Sequence, residues 1–316
     1  MQSIPVLVTG AGGFLGQALV SLLSQDRSVR GAVHRGKPSF LLAGVKYVST
    51  ELSDVFDWSN ALIGTKTVVH CAARVHILHD TSPDPMADFR AVNVNGTLRL
   101  ARQAAEMDVE RFVFISSIGV LGDQTFDKPF SEEDKPHPRS AYALSKLEAE
   151  LGLWEIERSS GMEVVVIRPP VIYGSNAPGN FDFLMRCLRR RVPLPLGAVV
   201  DNRRSFIFLE NLVEFIRLCI DHPSAANQTF LVSDGEDLST AELLRRLGGA
   251  MGKPAKLIPV SVKLLRVGAA LIGKPDVFRR LCGSLQVDIS YAQQALGWLP
   301  PITVDEGLRR TVAALL

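Results

Sequence analysis

An uncharged run of twenty residues, Ile4 to Leu23, limits most strongly what this chain can fold into. Such a length is typical of a membrane span or of a signal peptide. This run, however, contains Pro5 and four glycines, and the residues before it include no lysine or arginine. A buried strand, a glycine turn and a helix explain the run better than a span does.

The glycines have the spacing of a phosphate-binding turn. They stand in Val8-Thr9-Gly10-Ala11-Gly12-Gly13-Phe14-Leu15-Gly16, between the strand and the helix. Gly10 permits a tight turn, Gly13 lets a pyrophosphate approach the backbone, and Gly16 allows close packing of the helix. The helix N-terminus would then face the phosphates. An ordinary strand-to-helix turn remains the alternative.

Apolar runs alternate with helical patterns over the first half of the chain. Strands are predicted at Pro5–Thr9, Val29–His34, Val45–Ser49, Thr67–Ala72, Arg111–Ser116, Glu163–Arg168 and Thr229–Ser233. Helices are predicted at Phe14–Ser24, Asp54–Ile63, Met86–Met107, Ala141–Arg158 and about 210–221. Gly161 ends one helix, and Ser239 with Glu242 forms a capping box. This order predicts an α/β fold with a Rossmann-type, doubly wound parallel sheet.

The chain changes character after Arg168, where prolines and arginines become frequent. We expect a Rossmann domain over 1–173 together with about 206–234. A smaller, mostly helical C-terminal lobe over 174–205 and 235–316 would bind the substrate. A crevice should separate the two.

Composition narrows the possible partners and the cellular compartment. The 316 residues carry 35 basic and 33 acidic side chains, a net charge of +2, which argues against nucleic-acid binding by bulk charge. The four cysteines are far apart without a CxxC pair, so we expect reduced thiols in a cytoplasmic protein. Leu257 to Gly273 is apolar but interrupted by Lys263 and Arg266. It predicts a docked helix that could touch a membrane surface, not an integral span.

The end of the second strand bears on cofactor choice. His34, Arg35 and Lys37 stand where a site preferring NAD usually has an acidic side chain for the ribose. A basic turn suits a 2′-phosphate, so we favour NADP over NAD. A solvated basic turn is the alternative.

Ser117, Tyr142 and Lys146 form the candidate catalytic set. Tyr142 and Lys146 are four residues apart on a predicted helix and so share a face. A nearby ammonium favours the phenolate, which predicts that the tyrosine pKa falls toward working pH. Ser117 follows the fifth strand, at the edge where ligands bind in such sheets.

Together these motifs resemble those of the extended short-chain dehydrogenase/reductase family. The resemblance rests on the glycine turn, Asn93-Val-Asn-Gly-Thr, Ser116-Ser117, Tyr142-Ala-Leu-Ser-Lys146 and Arg168-Pro-Pro-Val-Ile-Tyr-Gly174, in order along the whole chain. It implies a nicotinamide cofactor, a Ser–Tyr–Lys triad, and a Lys146 that holds the nicotinamide ribose. It also implies a homodimer formed through helices near 97–108 and 141–158. The cofactor-binding residues it implies are Gly10, Gly13, Phe14, Leu15, Gly16, His34, Arg35, Glu51, Leu52, Cys71, Ala72, Ala73, Asn93, Ser116, Tyr142, Lys146, Pro169 and Val171.

Within the family, the nucleotide-sugar branch matches best. Asn180-Phe181 and the segment around Arg204 resemble parts that grip a nucleotide diphosphate. An arginine fork suits phosphate oxygens, so Arg204, and with less support Arg280, are candidate ligands of a UDP-sugar. Ser117 would contact the sugar.

The residues after Ser117 narrow the reaction. Related 4,6-dehydratases have an acidic pair there and 3,5-epimerases a cysteine, whereas this chain has Ile118-Gly119. That leaves oxidation or reduction at C4. We expect a reductase of a UDP-4-keto-6-deoxy-N-acetylhexosamine, of the UDP-N-acetylquinovosamine 4-dehydrogenase type. The alternative is a UDP-hexose 4-epimerase, including a variant acting on a lipid-linked sugar. His76, His79 and Asp80 could suggest a metal site, but a loop without metal is the preferred interpretation.

Overall fold

A seven-stranded parallel sheet forms the centre of the molecule. The computed structural model describes residues 5–34, 42–75 and 82–314. The sheet strands are β1 (Val6–Thr9), β2 (Val29–His34), β3 (Lys46–Thr50), β4 (Thr67–His70), β5 (Arg111–Ile115), β6 (Glu163–Arg168) and β9 (Gln228–Leu231). Their order, β3-β2-β1-β4-β5-β6-β9, reverses direction beside β1 and confirms the predicted Rossmann-type sheet.

Helices cover both faces of this sheet. The longer ones in the first part of the chain are α1 (Phe14–Leu23), α4 (Thr97–Glu106), α5 (Ala141–Ser160) and α7 (Leu209–Asp221), and the short ones are α2 (Ser59–Leu62) and α3 (Pro85–Phe89). Helices α1 and α7 share one core with Val113 and Ile115 of β5. Helices α4 and α5 share the opposite core with Phe112 and Phe114. Because β5 is buried on both faces, its residues after Arg111 are continuously apolar rather than alternating.

A third core builds the smaller lobe. It surrounds a two-stranded parallel sheet of β7 (Val171–Tyr173) and β8 (Phe206–Phe208). Its helices are α6 (Asn180–Arg189), α8 (Thr240–Ala250), α9 (Val262–Leu271), α10 (Pro275–Cys282) and α12 (Val304–Ala313). Helix α11 (Ser290–Leu296), which the sequence analysis assigns to this lobe, instead packs beside β9 in the larger core. The chain therefore crosses between the two cores more often than the predicted domain boundaries imply.

Local signals set several helix ends as predicted. The Ser239 hydroxyl accepts the Glu242 N–H at 3.1 Å, and Gly161 ends α5 in the left-handed conformation at φ 74°. The predicted helix Asp54–Ile63 is wrong in extent, because only Ser59–Leu62 is helical. The predicted helix Met86–Met107 is interrupted by a π-helical turn over Arg90–Gly96.

Candidate active site

A cleft of about 650 Å³ lies at the carboxyl ends of the central strands. It is the place where open α/β sheets bind ligands. The glycine turn, the residues after β4, β5 and β6, and the first turns of α5 meet there. The lining includes Gly10, Gly13, Phe14, Leu15, Gly16, His34, Cys71, Ala72, Ala73, Ser116, Ser117, Tyr142, Lys146 and Pro169.

The glycine turn has the geometry that its spacing predicts. Gly10 adopts φ +67°, and a Cβ there would stand 2.8 Å from the Ala72 backbone nitrogen. A Cβ on Gly16 would collide with the Gly10 carbonyl oxygen and carbon. A side chain at either position would push the turn away from α1 or from the end of β4. Both positions therefore need glycine if the turn is to lie this close to its neighbours.

The turn also fits the phosphates of a dinucleotide. Gly13 is the N-cap residue of α1 and has no side chain to bond the helix end, so the first-turn N–H groups remain available to a ligand. A buried His70 fixes the surroundings: its ring bonds Thr9 Oγ1 at 2.7 Å and Thr97 Oγ1 at 2.9 Å. Burial lowers the pKa of His70 to about 3, so the ring is neutral and acts as a structural link. The sequence analysis did not single out this residue.

The three candidate catalytic side chains line the same cleft. Ser140 caps α5 through the Ala143 N–H, and the first two turns of α5 place Tyr142 and Lys146 on one face. Lys146 Nζ donates to the Ile115 carbonyl oxygen at 2.8 Å and lies 4.4 Å from the Phe114 ring centroid. Ser117 Oγ accepts the Gly119 N–H at 3.1 Å, which leaves its own hydroxyl hydrogen for a ligand oxygen.

Burial controls the protonation of this site. It lowers the pKa of Lys146 to about 8, although the charge of Glu150 acts in the opposite direction. It also raises the pKa of Tyr142 to about 12. The sequence argument that the ammonium brings the phenol toward neutral pH therefore does not describe the ligand-free cleft, where desolvation of the phenolate dominates. Tyr142 is protonated at pH 7, and Lys146 is mostly charged.

A buried ion pair extends this face of α5 and was missed by the sequence analysis. Glu150, four residues after Lys146, accepts from Arg168 Nη2 at 2.6 Å and from Nε at 3.0 Å. The Ser116 hydroxyl donates to the same carboxylate. This network ties α5 to the ends of β5 and β6, and so fixes the positions of Ser117 and Lys146 relative to the sheet. The sequence contained one signal for Glu150: it lies four residues after Lys146 and therefore on the same face of the helix.

Other predicted cofactor residues lie around the cleft and not in its lining. Asn93 uses its amide to hold the loop after β4, bonding the backbone N and O of Arg74 at 2.8 and 3.0 Å. Leu52 packs under Gly96, and Glu51 precedes it at the end of β3. Val171 is 44% exposed, whereas Pro169, two residues before it, lines the cleft.

Some predicted residues fall outside the described part of the chain. Arg35, on which the preference for NADP rests, is one, as are His76, His79 and Asp80. Among residues 5–34, 42–75 and 82–314, no group of three His, Cys, Asp or Glu side chains could hold a metal ion. All four cysteines are free thiols.

The predicted substrate residues do not all lie in the same environment. Arg204 is buried, donates to the Gly283 carbonyl oxygen at 3.0 Å, and has a pKa lowered to about 10 by burial and then by the charge of Arg280. These two cations therefore lie close together, as a diphosphate site requires. Phe181 is instead buried in the core of the smaller lobe, with its ring 5.8 Å from that of Tyr173. Asn180 begins α6 directly before it.

Comparison with known proteins assigns the class of this fold and site. Residues 6–233 match the family model described as the NAD dependent epimerase/dehydratase family. The chain belongs to this family, whose members include nucleotide-sugar epimerases, dehydratases and reductases. The resemblance that the motifs carry is thereby confirmed.

Individual relatives are similar over almost the whole chain. A UDP-glucose 4-epimerase of Vibrio cholerae is 44% identical, covering 98% of this chain and 95% of that protein. The crystal structure of a UDP-glucose 4-epimerase with UDP-glucose from Thermotoga maritima has a TM-score of 0.78 at 21% identity, with 98% of both chains covered. A UDP-glucuronic acid 4-epimerase from Bacillus cereus in complex with NAD has a TM-score of 0.79 at 19% identity, again with 98% of both chains covered. The two structures show the shared fold.

Nowhere in the described ranges does a helix combine the length and the hydropathy needed to cross a bilayer.

Proposed function

We propose that this protein is a UDP-sugar 4-epimerase, which oxidises the C4 hydroxyl and returns the hydride to the opposite face of the sugar. The main support is the 44% identity over 98% of the chain to a UDP-glucose 4-epimerase. The cleft supports the same chemistry, because it unites a dinucleotide turn with one protonating side chain.

The cofactor would lie along the glycine turn, with its phosphates at the N-terminus of α1 and its nicotinamide end near Tyr142 and Lys146. When bound, the nicotinamide exchanges a hydride with C4. NAD is favoured as the cofactor here, since the structure of the related UDP-glucuronic acid 4-epimerase holds NAD. The preference for NADP inferred from the basic turn remains a competing proposal.

Tyr142 would move the proton at the C4 oxygen. A phenol with a pKa of about 12 has to lose its proton before it can accept one, so oxidation of C4 requires a positive charge close to the ring. Lys146, on the same face of α5, would supply such a charge in the complex with cofactor and substrate, because only one of its three N–H donors is used on Ile115. Ser117 would donate its free hydroxyl hydrogen to the same sugar oxygen and fix its position.

The composition of the site favours chemistry confined to C4. Ile118 and Gly119 follow Ser117, and neither can abstract a proton from carbon. Elimination of water or epimerisation at C3 and C5 would need such a base. An epimerase at C4 needs only the phenol, because the same proton is removed and returned.

A net 4-ketoreductase is the second candidate. The protonated state of Tyr142 favours it, because reduction of a 4-keto sugar needs a proton donor at the outset. The basic residues near the end of β2 in the sequence support the same candidate. They suit NADP, and cells supply reducing equivalents mainly as NADPH.

Two incubations decide between the candidates. UDP-glucose or UDP-N-acetylglucosamine is supplied without added cofactor, and the C4 epimers are separated by chromatography; a UDP-4-keto-6-deoxy sugar is supplied with NADPH, and the loss of NADPH absorbance is followed. Interconversion of epimers without net cofactor change supports the epimerase. Stoichiometric NADPH consumption without epimer formation establishes the reductase. Tyr142→Phe should be inactive in the reaction that the protein catalyses, and the exposed Tyr291→Phe should be a fully active control.

A further inference from the structure

An exposed apolar helix face lies on the smaller lobe. Helix α9 packs on the lobe core only through partly buried side chains, including Val262 and Leu265. Its opposite side is apolar too, with Leu264, Val267 and Leu271 at the i, i+3, i+7 spacing of one helix face. Together with Ile272 they form what we call the α9 outer face. The exposed fractions are 65% for Leu264, 57% for Val267, 83% for Leu271 and 72% for Ile272.

Positive charge is concentrated around this face. The segment 251–283 has one acidic residue, Asp276, and a net charge of +6, although the whole chain carries only +2. Its basic residues are Lys253, Lys256, Lys263, Arg266, Lys274, Arg279 and Arg280. Lys263 and Lys274 flank the α9 outer face in sequence. Within the described chain, Asp276 pairs with Arg279, which also lies 3.4 Å from Asp123, and neither Lys263 nor Lys274 has such an ion pair.

We propose that the α9 outer face docks on the surface of an anionic lipid bilayer. Apolar side chains framed by lysines and arginines are the pattern by which helices lie in a membrane interface, with the apolar groups among the acyl chains and the cations at the headgroups. A second copy of the chain suits this face poorly, because pairing would bring two segments of +6 together. The remainder of the chain is net acidic, so the attraction is local to this lobe.

The docked face would belong to the same lobe as Arg204 and Arg280, the candidate diphosphate ligands. Helix α10 leads from Lys274 to Gly283, whose carbonyl oxygen accepts from Arg204. Arg204 is thus joined to the C-terminal end of the helix that follows α9 in the chain, and Arg280 lies on that helix. The proposal itself rests on the exposed face and its charge, and is independent of the reaction catalysed.

Sedimentation with lipid vesicles tests the proposal. The full chain is mixed with vesicles of phosphatidylethanolamine and phosphatidylglycerol, or of phosphatidylcholine alone, and the pelleted fraction is measured. We expect binding to the anionic vesicles, weakened by high salt. The double variant Leu264→Gln/Leu271→Gln should lower the partition coefficient at least about tenfold, because two apolar contacts are lost while glutamine preserves the helix.

The control removes two apolar side chains of matching exposure elsewhere. Val55 is 82% and Leu299 66% exposed, so Val55→Gln/Leu299→Gln should bind within about twofold of the unchanged protein, a difference below roughly 0.5 kcal/mol. Absence of the unchanged protein from the anionic pellet overturns the proposal, as does equal binding by both double variants. Light scattering without lipid tests whether a second copy of the chain covers the face instead. If the unchanged protein is a dimer and the α9 double variant is a monomer, a second copy covers the face and the proposal is overturned. None of these readouts depends on turnover.

Discussion

Replacing Lys146 with methionine should abolish catalysis and yet make the protein more stable at pH 7. Lys146 is 2% exposed, and its ammonium has one hydrogen bond, to Ile115, and a ring contact to Phe114. Glu150 attracts it but is itself occupied by Arg168 and Ser116. The fold therefore holds a buried charge whose compensation is incomplete.

The size of this cost follows from the pKa. A fall of the Lys146 pKa from 10.5 to about 8 means that folding disfavours the charged lysine by about 3 kcal/mol at pH 7. Methionine has a similar length and no charge, so that cost disappears. The Ile115 carbonyl oxygen loses its donor, which costs about 1 kcal/mol. The net expectation is a stabilisation of about 2 kcal/mol.

The pH dependence identifies the cause. Below pH 8 both the folded and the unfolded lysine are protonated, and the full cost is present. Between pH 8 and 10.5 the unfolded chain binds more protons than the folded one, so the stability of the unchanged protein rises relative to the variant. The advantage of Lys146→Met should therefore shrink by about 2 kcal/mol between pH 7 and about pH 9.5.

Urea unfolding of cofactor-free protein at both pH values measures this difference. Cofactor has to be removed, because a ligand bound only by the native state stabilises it by mass action. The exposed Lys135→Met is the control and should change the free energy of unfolding by less than about 0.5 kcal/mol. A Lys146→Met protein that is less stable at pH 7, or whose advantage is the same at both pH values, would refute the reasoning.

The remaining predictions concern the other parts of the cleft. Tyr142→Phe should lower turnover by more than about a hundredfold with cofactor affinity unchanged in a fluorescence titration, because only the proton carrier is lost; activity within about tenfold would exclude that role. Gly16→Ala should weaken cofactor binding by at least about tenfold in the same titration, because its Cβ collides with Gly10, whereas Gly249→Ala, which has open space around it, should not. Arg204→Ala should mainly raise KM for a UDP-sugar, because the diphosphate is bound alike in ground and transition states; an unchanged KM with a lower kcat would contradict this.

Much of the fold could be predicted because its determinants are local. The central strands of the large sheet are short runs rich in apolar residues, and the turn after β1 has glycines at positions where a Cβ would collide with the backbone. Short or non-local elements escaped prediction. Strands β7 and β8 have three residues each, too few to show a period, and they pair across the whole of α6. The helix predicted over Asp54–Ile63 shrinks because the Trp58 N–H donates to Gln103 on α4, an interaction invisible in the local pattern.

The protonation of the site was the least predictable property, because it depends on burial in three dimensions. Tyr142, Lys146 and Glu150 follow one another at intervals of four on α5, so the helical pattern puts all three on one buried face. Glu150 is compensated by Arg168 and Ser116, whereas Tyr142 avoids the cost by keeping its proton. Lys146 alone retains most of its charge with incomplete compensation. The destabilisation is therefore concentrated at the position where a positive charge is most useful to a phenol that has to release its proton.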